Sequence, residues 1–354
     1  MSEMLKDARQ PISRRAILKA GAAGAALTIA APHVARAQGI PHIRYATGGG
    51  LGANEISTVH MSEWGRANLL KRNGKDYILD VTYTRGTPEA ASLMAAGQVD
   101  LATLSLPAFA TTIARGAVPN GVKAIADNFQ DGRDGFATQG FYVLEDSPIR
   151  NAADLKGKTV AVNAFGTATD LLLRVVLKKN NIDPRKDLKI VEISFPSIGA
   201  AIREKRVDAG VLPLPFIANE RAKGGIRQIF KGSDAFPPYS VIFQTATNDF
   251  LKAQPAAVKA WLADYVDGLK WIYDPANRPK VIEVTAALTK SAPEVIDGFF
   301  LTKSDYYRDA TACINPSLFQ PALDAMAKEG VIATSIDASK VIDTSYLPFP
   351  CSKG

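Results

Sequence analysis

Short runs typical of β-strands alternate with helical patterns along most of this chain. In its first third, strand patterns lie at 42–47, 77–83, 99–104 and 122–127. The helical patterns between them lie at 56–70, from Thr87 onward and at 106–115. In the 56–70 segment, apolar residues recur at the spacing of one buried helix face. This alternation predicts an α/β fold with a parallel sheet that is covered by helices on both faces.

The alternation is interrupted at 129–140, where glycine and charged residues are more frequent, and then it begins again. We interpret the interruption as a crossing between two domains, and a length of 354 residues agrees with two domains. Further strands are predicted at 159–162, 189–193, 208–212 and, as a return strand, 240–245. Further helices are predicted at 170–179, 198–205, 255–273, 293–301 and 317–329.

The first 37 residues have the pattern of a twin-arginine export signal. The arginine pair at 14–15 precedes an apolar run at 20–31, which is shorter than the ~20 residues that a membrane span needs. Ala-Arg-Ala at 35–37 resembles a cleavage site, which predicts Gln38 as the mature N-terminus and a periplasmic location. An uncleaved anchor or an amphipathic helix is the alternative interpretation.

Both cysteines, Cys313 and Cys351, lie near the C-terminus. In an oxidising periplasm they form one disulfide, or they remain two free thiols, because the sequence does not give their separation in space. No cysteine stands at the cleavage site, so a lipid anchor there is excluded.

Composition argues against several functional classes. Removing the six basic and two acidic residues of the first 37 from the 42 and 35 of the whole chain leaves a net charge of +3, without a basic cluster. A nucleic-acid partner is therefore not expected. The three histidines are His33, His42 and His60, too few for an obvious metal site, and no Gly-x-Ser-x-Gly motif supports a Ser-His-Asp enzyme. We expect no metal, no cofactor and no catalytic residues, although carboxylate chemistry stays open.

Four short motifs carry a resemblance to a known family. Asp-Leu-Lys-Gly-Lys at 154–158 leads into a predicted strand, and related Val-Asp motifs occur at 97–102 and 205–210. Asn-Asp-Phe-Leu at 248–251 precedes a helix. In this order the motifs resemble periplasmic solute-binding proteins of ABC transporters, in the sulfonate, taurine and nitrate group (SsuA/NMT1-like). The solute receptors of TAXI-type TRAP transporters share part of the pattern.

The resemblance implies a type II periplasmic-binding-protein fold, in which crossover strands join two α/β lobes and a ligand cleft lies between them. Residues 38–130 and 240–354 would form lobe 1, and the inserted residues 137–232 would form lobe 2. Hinge closure would trap a small, anionic organic solute, and a separate membrane permease would receive it. The receptor itself would be a monomer.

Ligands of open α/β sheets lie beyond the carboxyl ends of the strands, and this rule selects the candidate ligand-binding residues. The candidates are Thr47, Gly48, Gly49, Gly50, Arg85, Ser105, Phe165, Gly166, Thr167, Ala168, Thr169, Phe195, Pro215 and Phe216. The loop at 165–169 is the leading candidate because it opens a helix, whose free N–H groups and positive dipole end bind anions.

Each candidate has a structural alternative. The glycines after the first strand form either a ligand contact or a plain turn, and Arg85 pairs with a carboxylate or sulfonate or lies in solvent. Ser105 and the threonines at 167 and 169 are hydroxyl donors or helix caps. Phe195 and Phe216 line a pocket or fill the core. A small site would suit a sulfonate or nitrate, and a wider one an aromatic acid or a pyrimidine. An exported enzyme of the same fold is the remaining alternative.

Overall fold

The computed structural model describes residues 39–48 and 59–351. The predicted export signal, Gly49, Gly50 and the start of the helix predicted at 56–70 lie outside the described residues. In the described part of the chain, ten strands form two five-stranded sheets. The strands are β1 (His42–Gly48), β2 (Ile78–Thr84), β3 (Leu101–Ser105), β4 (Val122–Asp131), β5 (Gly140–Leu144), β6 (Thr159–Val162), β7 (Lys189–Glu192), β8 (Ala209–Val211), β9 (Ile226–Lys231) and β10 (Tyr239–Thr247).

Helices pack on both sheets, and several of them begin with a proline in the first turn, where its missing N–H has no helical partner. The helices are α1 (Glu63–Asn68), α2 (Thr87–Ala95), α3 (Leu106–Ala114), α4 (Ala168–Lys179), α5 (Phe195–Arg203), α6 (Phe216–Lys223), α7 (Asn248–Ala253), α8 (Pro255–Tyr273), α9 (Arg278–Thr289), α10 (Pro293–Asp297), α11 (Pro316–Lys328) and α12 (Ala338–Val341). The bounds of α8 are those predicted, because Val258, Trp261, Leu262, Tyr265 and Leu269 form a continuous buried face.

The first sheet has the strand order β2-β1-β3-β10-β4, and the second has the order β7-β6-β8-β5-β9. Within the first sheet, β1 pairs in parallel with β2 and β3, whereas β10 is antiparallel to both of its neighbours. The second sheet repeats this pattern, with β5 as its antiparallel strand. The predicted parallel arrangement is therefore present in both sheets, but each sheet also contains one antiparallel strand that the alternation did not predict. That strand arrives from the other sheet and not through a helical crossover.

Two segments connect the sheets. The chain leaves β4 at Asp131 and enters β5 at Gly140, and it returns from Lys231 to Tyr239. We name 132–139 the first crossing and 232–238 the second crossing. The crossing was expected to begin at Phe129, but the strand continues to Asp131 because its last residues are buried and pair with β10.

Two C-terminal segments cover the outer edge of β4. Tyr307 forms a β-bridge with Gln130, and Ile342 forms one with Ala124. Cys313 follows the first of these bridges along the chain, Cys351 follows the second, and a disulfide joins the two cysteines. The cysteines are therefore paired and are not two free thiols. The edge of a sheet offers unpaired backbone groups to other chains, so this covering protects β4.

These observations confirm an architecture of two α/β lobes, one around each sheet. The lobe boundaries given above stay a prediction of the sequence. Among the described residues, no helix combines the length and apolar character that a membrane span requires.

Candidate functional site

A small cavity of about 50 Å³ lies between the two sheets. Side chains and backbone from both lobes and from the first crossing line it. The lining residues are Gly48, Thr87, Ser105, Phe129, Gln139, Asn163, Thr167, Ala168, Thr169, Phe195, Pro213, Val241, Ile242 and Tyr306.

The cavity lies beyond the carboxyl ends of parallel strands in both sheets. Gly48 ends β1, Ser105 ends β3 and Asn163 directly follows β6. This is the position that the strand-end rule predicts for a ligand. Gly48 must be glycine here, because a Cβ would overlap the backbone oxygen of Thr103 and the side chain of Thr87.

Four helices begin at the cavity wall. Thr87 and Phe195 are the first residues of α2 and α5, Ser105 immediately precedes α3, and Thr167 immediately precedes α4. Each helix N-terminus carries a partial positive charge of about half a unit and leaves backbone N–H groups without helical partners. The four N-termini therefore contribute positive partial charge at the cavity wall, where no charged side chain occurs among the described lining residues.

Hydroxyl groups form the polar part of the wall. The side-chain oxygens of Thr87 and Ser105 are 2.7 Å apart and share a hydrogen bond. Ser105 therefore stands at the cap position of α3 but does not cap that helix with its side chain. On the opposite side, the hydroxyl of Thr169 donates to Asn163 Oδ1 at 2.7 Å, and Thr167 caps α4 by accepting from the N–H of Asp170.

Aromatic and aliphatic groups form the rest of the wall. Phe129 and Tyr306 stack with ring centroids 4.8 Å apart, and Phe195 stacks on Phe216 at 5.8 Å. The hydroxyl of Tyr306 also accepts the N–H of Leu214 at 3.1 Å, a contact between the C-terminal part of the chain and the second lobe. Burial raises the pKa of the Tyr306 phenol well above its ordinary value.

No Asp, Glu, Lys, Arg or His occurs among the described residues that line the cavity. Within the described part of the chain there is also no group of three or more His, Cys, Asp or Glu side chains that could hold a metal ion. The cavity is therefore suited to recognition by dipoles, hydroxyl groups and apolar contact.

The structure brings six of the predicted site residues to the cavity. They are Gly48, Ser105, Thr167, Ala168, Thr169 and Phe195. Gly49 and Gly50 lie outside the described residues. Thr47 is buried and its backbone oxygen accepts from Thr84 Oγ1 at 2.6 Å, but it does not line the cavity.

The other predicted residues lie away from the cavity. Arg85 has a side chain that is 90% exposed and forms an ion pair with Glu89 in the next helical turn. Pro215 and Phe216 stand behind the wall, where Phe216 supports Phe195. Phe165 and Gly166 line a wider, open groove that runs along α2, α3 and α4.

The loop before α4 differs from its expected role in one respect. The N–H of Phe165 donates to Glu192 Oε1 at 2.6 Å, and the N–H of Gly166 donates to Asp170 Oδ2 at 2.9 Å. Carboxylates of the protein thus take the two amides that we expected to be free for an anion. The part of the loop that faces the cavity is 167–169.

Sequence reasoning missed eight lining residues, which are Thr87, Phe129, Gln139, Asn163, Pro213, Val241, Ile242 and Tyr306. Asn163 directly follows a predicted strand, and Thr87 opens a predicted helix, so the strand-end rule could have included both. Tyr306 carries no local signal, because only the fold brings the segment after α10 to the cavity.

Comparisons with known proteins agree with this architecture. The family model described as NMT1/THI5-like matches residues 75–278, which is more than half of the chain. A curated relative, the putative aliphatic sulfonates-binding protein of Escherichia coli (strain K12), is 29% identical over 127 residues. That match spans 35% of this chain and 37% of the relative's length.

Solved structures show the same fold. The periplasmic aliphatic sulphonate-binding protein SsuA from Escherichia coli has a TM-score of 0.61 at 18% identity, over 85% of this chain and 91% of that one. The periplasmic nitrate-binding protein NrtA from Synechocystis PCC 6803 has a TM-score of 0.66 at 13% identity, over 87% of each chain. The desulfurization enzyme DszB has a TM-score of 0.57 at 17% identity, over 87% of this chain and 97% of that one. These likenesses confirm the predicted periplasmic-binding-protein fold.

Proposed function

Because the chain belongs to the NMT1/THI5-like family, we propose that it is a periplasmic solute receptor that captures a small monoanion for an ABC importer. The observation that carries this proposal is the convergence of four helix N-termini on one cavity between two lobes. Helix N-termini are ready-made anion sites, and a cavity between two lobes suits a protein that closes on its ligand.

The charge of the cavity favours a monoanion over a dianion. No basic side chain occurs among its described lining residues, so partial charges and hydrogen-bond donors must balance the ligand's charge. Such a wall suits a diffuse single charge better than two charges on one small ion, because burying an unpaired charge is costly. A sulfonate, nitrate or carboxylate meets this condition.

The size of the cavity favours a small head group. A buried water needs a cavity volume of about 10–15 Å³. A cavity of about 50 Å³ therefore holds roughly four groups of the size of a water molecule. Nitrate, or the head group of a short sulfonate, has this size, and the stacked rings of Phe129 and Tyr306 would contact a short apolar tail. An aromatic acid or a pyrimidine would require a wider cavity.

Export and delivery complete the proposal. The twin-arginine pattern of the first 37 residues would direct the protein to the periplasm, where the Cys313–Cys351 disulfide is chemically stable. The resemblance of the sequence motifs to solute-binding proteins of ABC transporters supports an importer permease as the partner, and a TRAP membrane component is the alternative partner.

An enzyme is the second candidate function, and its basis is the likeness to DszB. The composition of the cavity favours the receptor. The phenol of Tyr306 is the titratable side chain among the described lining residues, and burial raises its pKa, so it is a poor acid or base near neutral pH.

The proposal is tested by binding and turnover measurements on protein expressed from the full sequence. Titration calorimetry and thermal shift would compare the monoanions methanesulfonate, nitrate and benzoate with the zwitterion taurine, with sulfate and with choline. We expect one of the monoanions to bind at a 1:1 ratio and to be recovered unchanged by mass spectrometry. At 100 times its dissociation constant it would stabilise the protein by about 2.7 kcal/mol.

Two results would contradict the proposal. One is the absence of any stabilisation by these monoanions in protein that has been unfolded and refolded to remove trapped ligand. The other is conversion of a bound compound into a product, which would favour the enzyme.

A further inference from the structure

Asp131 connects the cavity wall to both crossings. It is the last residue of β4, and its carboxylate accepts the N–H of Gln139 at 3.1 and 3.3 Å through its two oxygens. Gln139 lines the cavity, and its backbone oxygen accepts the N–H of Gly232 at 2.7 Å. The carboxylate thus bonds to the cavity-lining end of the first crossing, and that residue bonds in turn to the second crossing.

The fit around this carboxylate is tight. Asp131 is 2% exposed, and a Cβ on Gly232 would overlap both its Oδ2 atom and the hydroxyl oxygen of Thr138. Glycine at 232 therefore provides the space that the carboxylate occupies. Because Asp131 lies directly behind a cavity-lining residue, a charge in the cavity and a charge on Asp131 share one poorly solvated region.

The groups around Asp131 compensate a negative charge only in part. In the described part of the chain, no Lys, Arg or His forms an ion pair with it, whereas Asp127, also buried, precedes it on the same strand. Three phenols from other elements interact with it electrostatically, namely Tyr142 of β5, Tyr239 of β10 and Tyr306. Burial raises the pKa of Asp131 to about 7, although the hydrogen bond from the Gln139 N–H opposes the shift.

We propose that an anion in the cavity binds together with a proton that Asp131 takes up, so that the affinity for the anion depends on pH. This inference rests on the proposed function, because it requires an anionic ligand. Two negative charges in one buried region repel each other, and protonation of Asp131 removes that repulsion. The hydroxyl oxygen of Thr138 lies beside the carboxylate, near the position that a Cβ on Gly232 would occupy. It can accept the new O–H because a hydroxyl group is both donor and acceptor.

Linkage fixes the direction of the effect. If a bound anion raises the proton affinity of Asp131 by some factor, then protonation of Asp131 raises the affinity for the anion by the same factor. Affinity is therefore highest where Asp131 is protonated and falls as the pH rises through the pKa of Asp131. Methanesulfonate and nitrate keep their charge between pH 6 and pH 8.5, so a change in their affinity over this range reports the protein.

The test is a calorimetric titration at pH 6.0, 7.0, 8.0 and 8.5 with whichever of methanesulfonate and nitrate binds more tightly. We expect the dissociation constant of the unmodified protein to rise by about fivefold or more between pH 6.0 and 8.5, the lower end of usual coupling strengths. In Asp131→Asn, whose side chain imitates the protonated acid, we expect the affinity at pH 6.0 to be retained and the pH dependence to disappear.

Asp127→Asn is the matched control. Asp127 is equally buried on the same strand, but its carboxylate accepts from Gln130, which does not line the cavity. This variant should keep the pH dependence of the unmodified protein. A second measurement needs no variant. Titrations at pH 7.0 in buffers of different ionisation enthalpy should show net proton uptake when the anion binds.

The outcomes separate the two proposals. Constant affinity across the pH range without proton uptake would overturn the role of Asp131 while leaving the receptor intact, as would an Asp131→Asn variant with the full pH dependence. If neither anion binds at any pH, the proposed monoanion specificity fails, and the coupling fails with it.

Discussion

The hydroxyl pair of Thr87 and Ser105 supplies polar groups to the proposed anion site. A serine or threonine at a helix start usually caps that helix with its own side chain. Here the two hydroxyls bond to each other at 2.7 Å at the cavity wall, and the first N–H groups of α2 and α3 receive no side-chain cap. In the proposed site, the hydroxyl pair and the uncapped N–H groups would bind an anion together.

Removal of one hydroxyl should weaken anion binding. Thr87→Val keeps the shape that packs against Gly48, but it removes a hydrogen bond that would reach a charged ligand. We expect about tenfold weaker binding of methanesulfonate or nitrate in calorimetry. Thr112→Val on α3 is the control, because that buried hydroxyl bonds to the backbone of Ala108 and lies outside the cavity. Equal affinities of the two variants would contradict the placement of the site.

Two buried carboxyl groups should make the folded state less stable as the pH rises. Burial raises the pKa of Asp127 and of Asp131 from 3.8 to about 7. Between these values the folded protein binds more protons than the unfolded chain, so this contribution to stability is present at low pH and is lost on the way to pH 7 and above. We expect the unfolding free energy of the ligand-free protein to be higher at pH 5 than at pH 8 in urea denaturation. Asp127→Asn and Asp131→Asn should each flatten this profile, and an unchanged slope in both variants would show that these groups do not cause it.

At the level of residues, sequence reasoning located the candidate site in part. It predicted Gly48, Ser105 and the threonines before and within α4, because each lies at a strand end or a helix start. Strand ends and helix starts can be recognised from the local sequence pattern. It could not reach Gln139 or Tyr306, since their positions at the cavity depend on the path of the crossing and of the C-terminal chain. It also assigned free amides to a loop whose N–H groups are taken by Glu192 and Asp170, a contact between distant residues in the first case.

Among the elements, the loop before α4 depends on one left-handed residue. Gly166 has a φ of +77°, a conformation that costs other residues about 1–2 kcal/mol. We expect Gly166→Ala to destabilise the protein by about that amount and to weaken anion binding, because the strained loop continues into the cavity wall at 167–169. Gly157→Ala is the matched control, with a φ of +76° and open space around it. It should lower the melting temperature similarly without a change in affinity, and equal affinities of both variants would exclude the loop from binding.

The covering of the β4 edge should depend on the disulfide. The bond between Cys313 and Cys351 closes a loop of 38 residues, for which chain entropy gives a stabilisation of about 4 kcal/mol. We expect Cys313→Ser to lower the unfolding free energy by up to that amount in urea denaturation. Added reductant should lower the stability of the unmodified protein but leave the variant unchanged. A variant as stable as the unmodified protein would show that the two bridges on β4 hold without the covalent bond.

At the level of elements, the sequence predicted most strands and helices but not all strand directions. Eight of the ten described strands coincide with apolar runs, whereas β5 and β9 were missed. The segment Ile226–Lys231 is charged and half-exposed, so it lacks the pattern of a buried strand. Directions were missed because periodicity reports which face of a strand is buried and contains no information about the strand's neighbour.

For the whole molecule, polar contacts join the second lobe to the C-terminal part of the chain. Besides the hydrogen bond from Leu214 to Tyr306, Lys178 of the second lobe contacts Glu329 of the C-terminal chain, with 2.6 Å between Lys178 Nζ and the Glu329 backbone oxygen. Both contacts would be lost on hinge opening. Hinge opening and closure of two lobes around a ligand is a common motion in binding proteins.

Closure should be measurable in solution. We expect the radius of gyration from small-angle X-ray scattering to fall when the ligand-free protein is saturated with the anion that it binds. The scattering curve of the anion-saturated protein should then match the curve calculated from this structure. Tyr306→Phe removes the acceptor of the Leu214 N–H and should shift the ligand-free protein further toward the open form. Scattering that stays the same with and without anion would contradict the hinge.

The central position of β10 in the first sheet has a consequence for biosynthesis. β10 lies between β3 and β4, so these two early strands do not pair with each other. They can join one sheet only after residues 239–247 have been synthesised. All strands of the second sheet lie in one continuous stretch, 140–231, that leaves the ribosome before β10 is made. The inserted lobe can therefore assemble first, while the surrounding lobe finishes last although its synthesis begins first. We therefore expect chaperones to bind the N-terminal strands during synthesis, because these strands remain unpaired for the longest time.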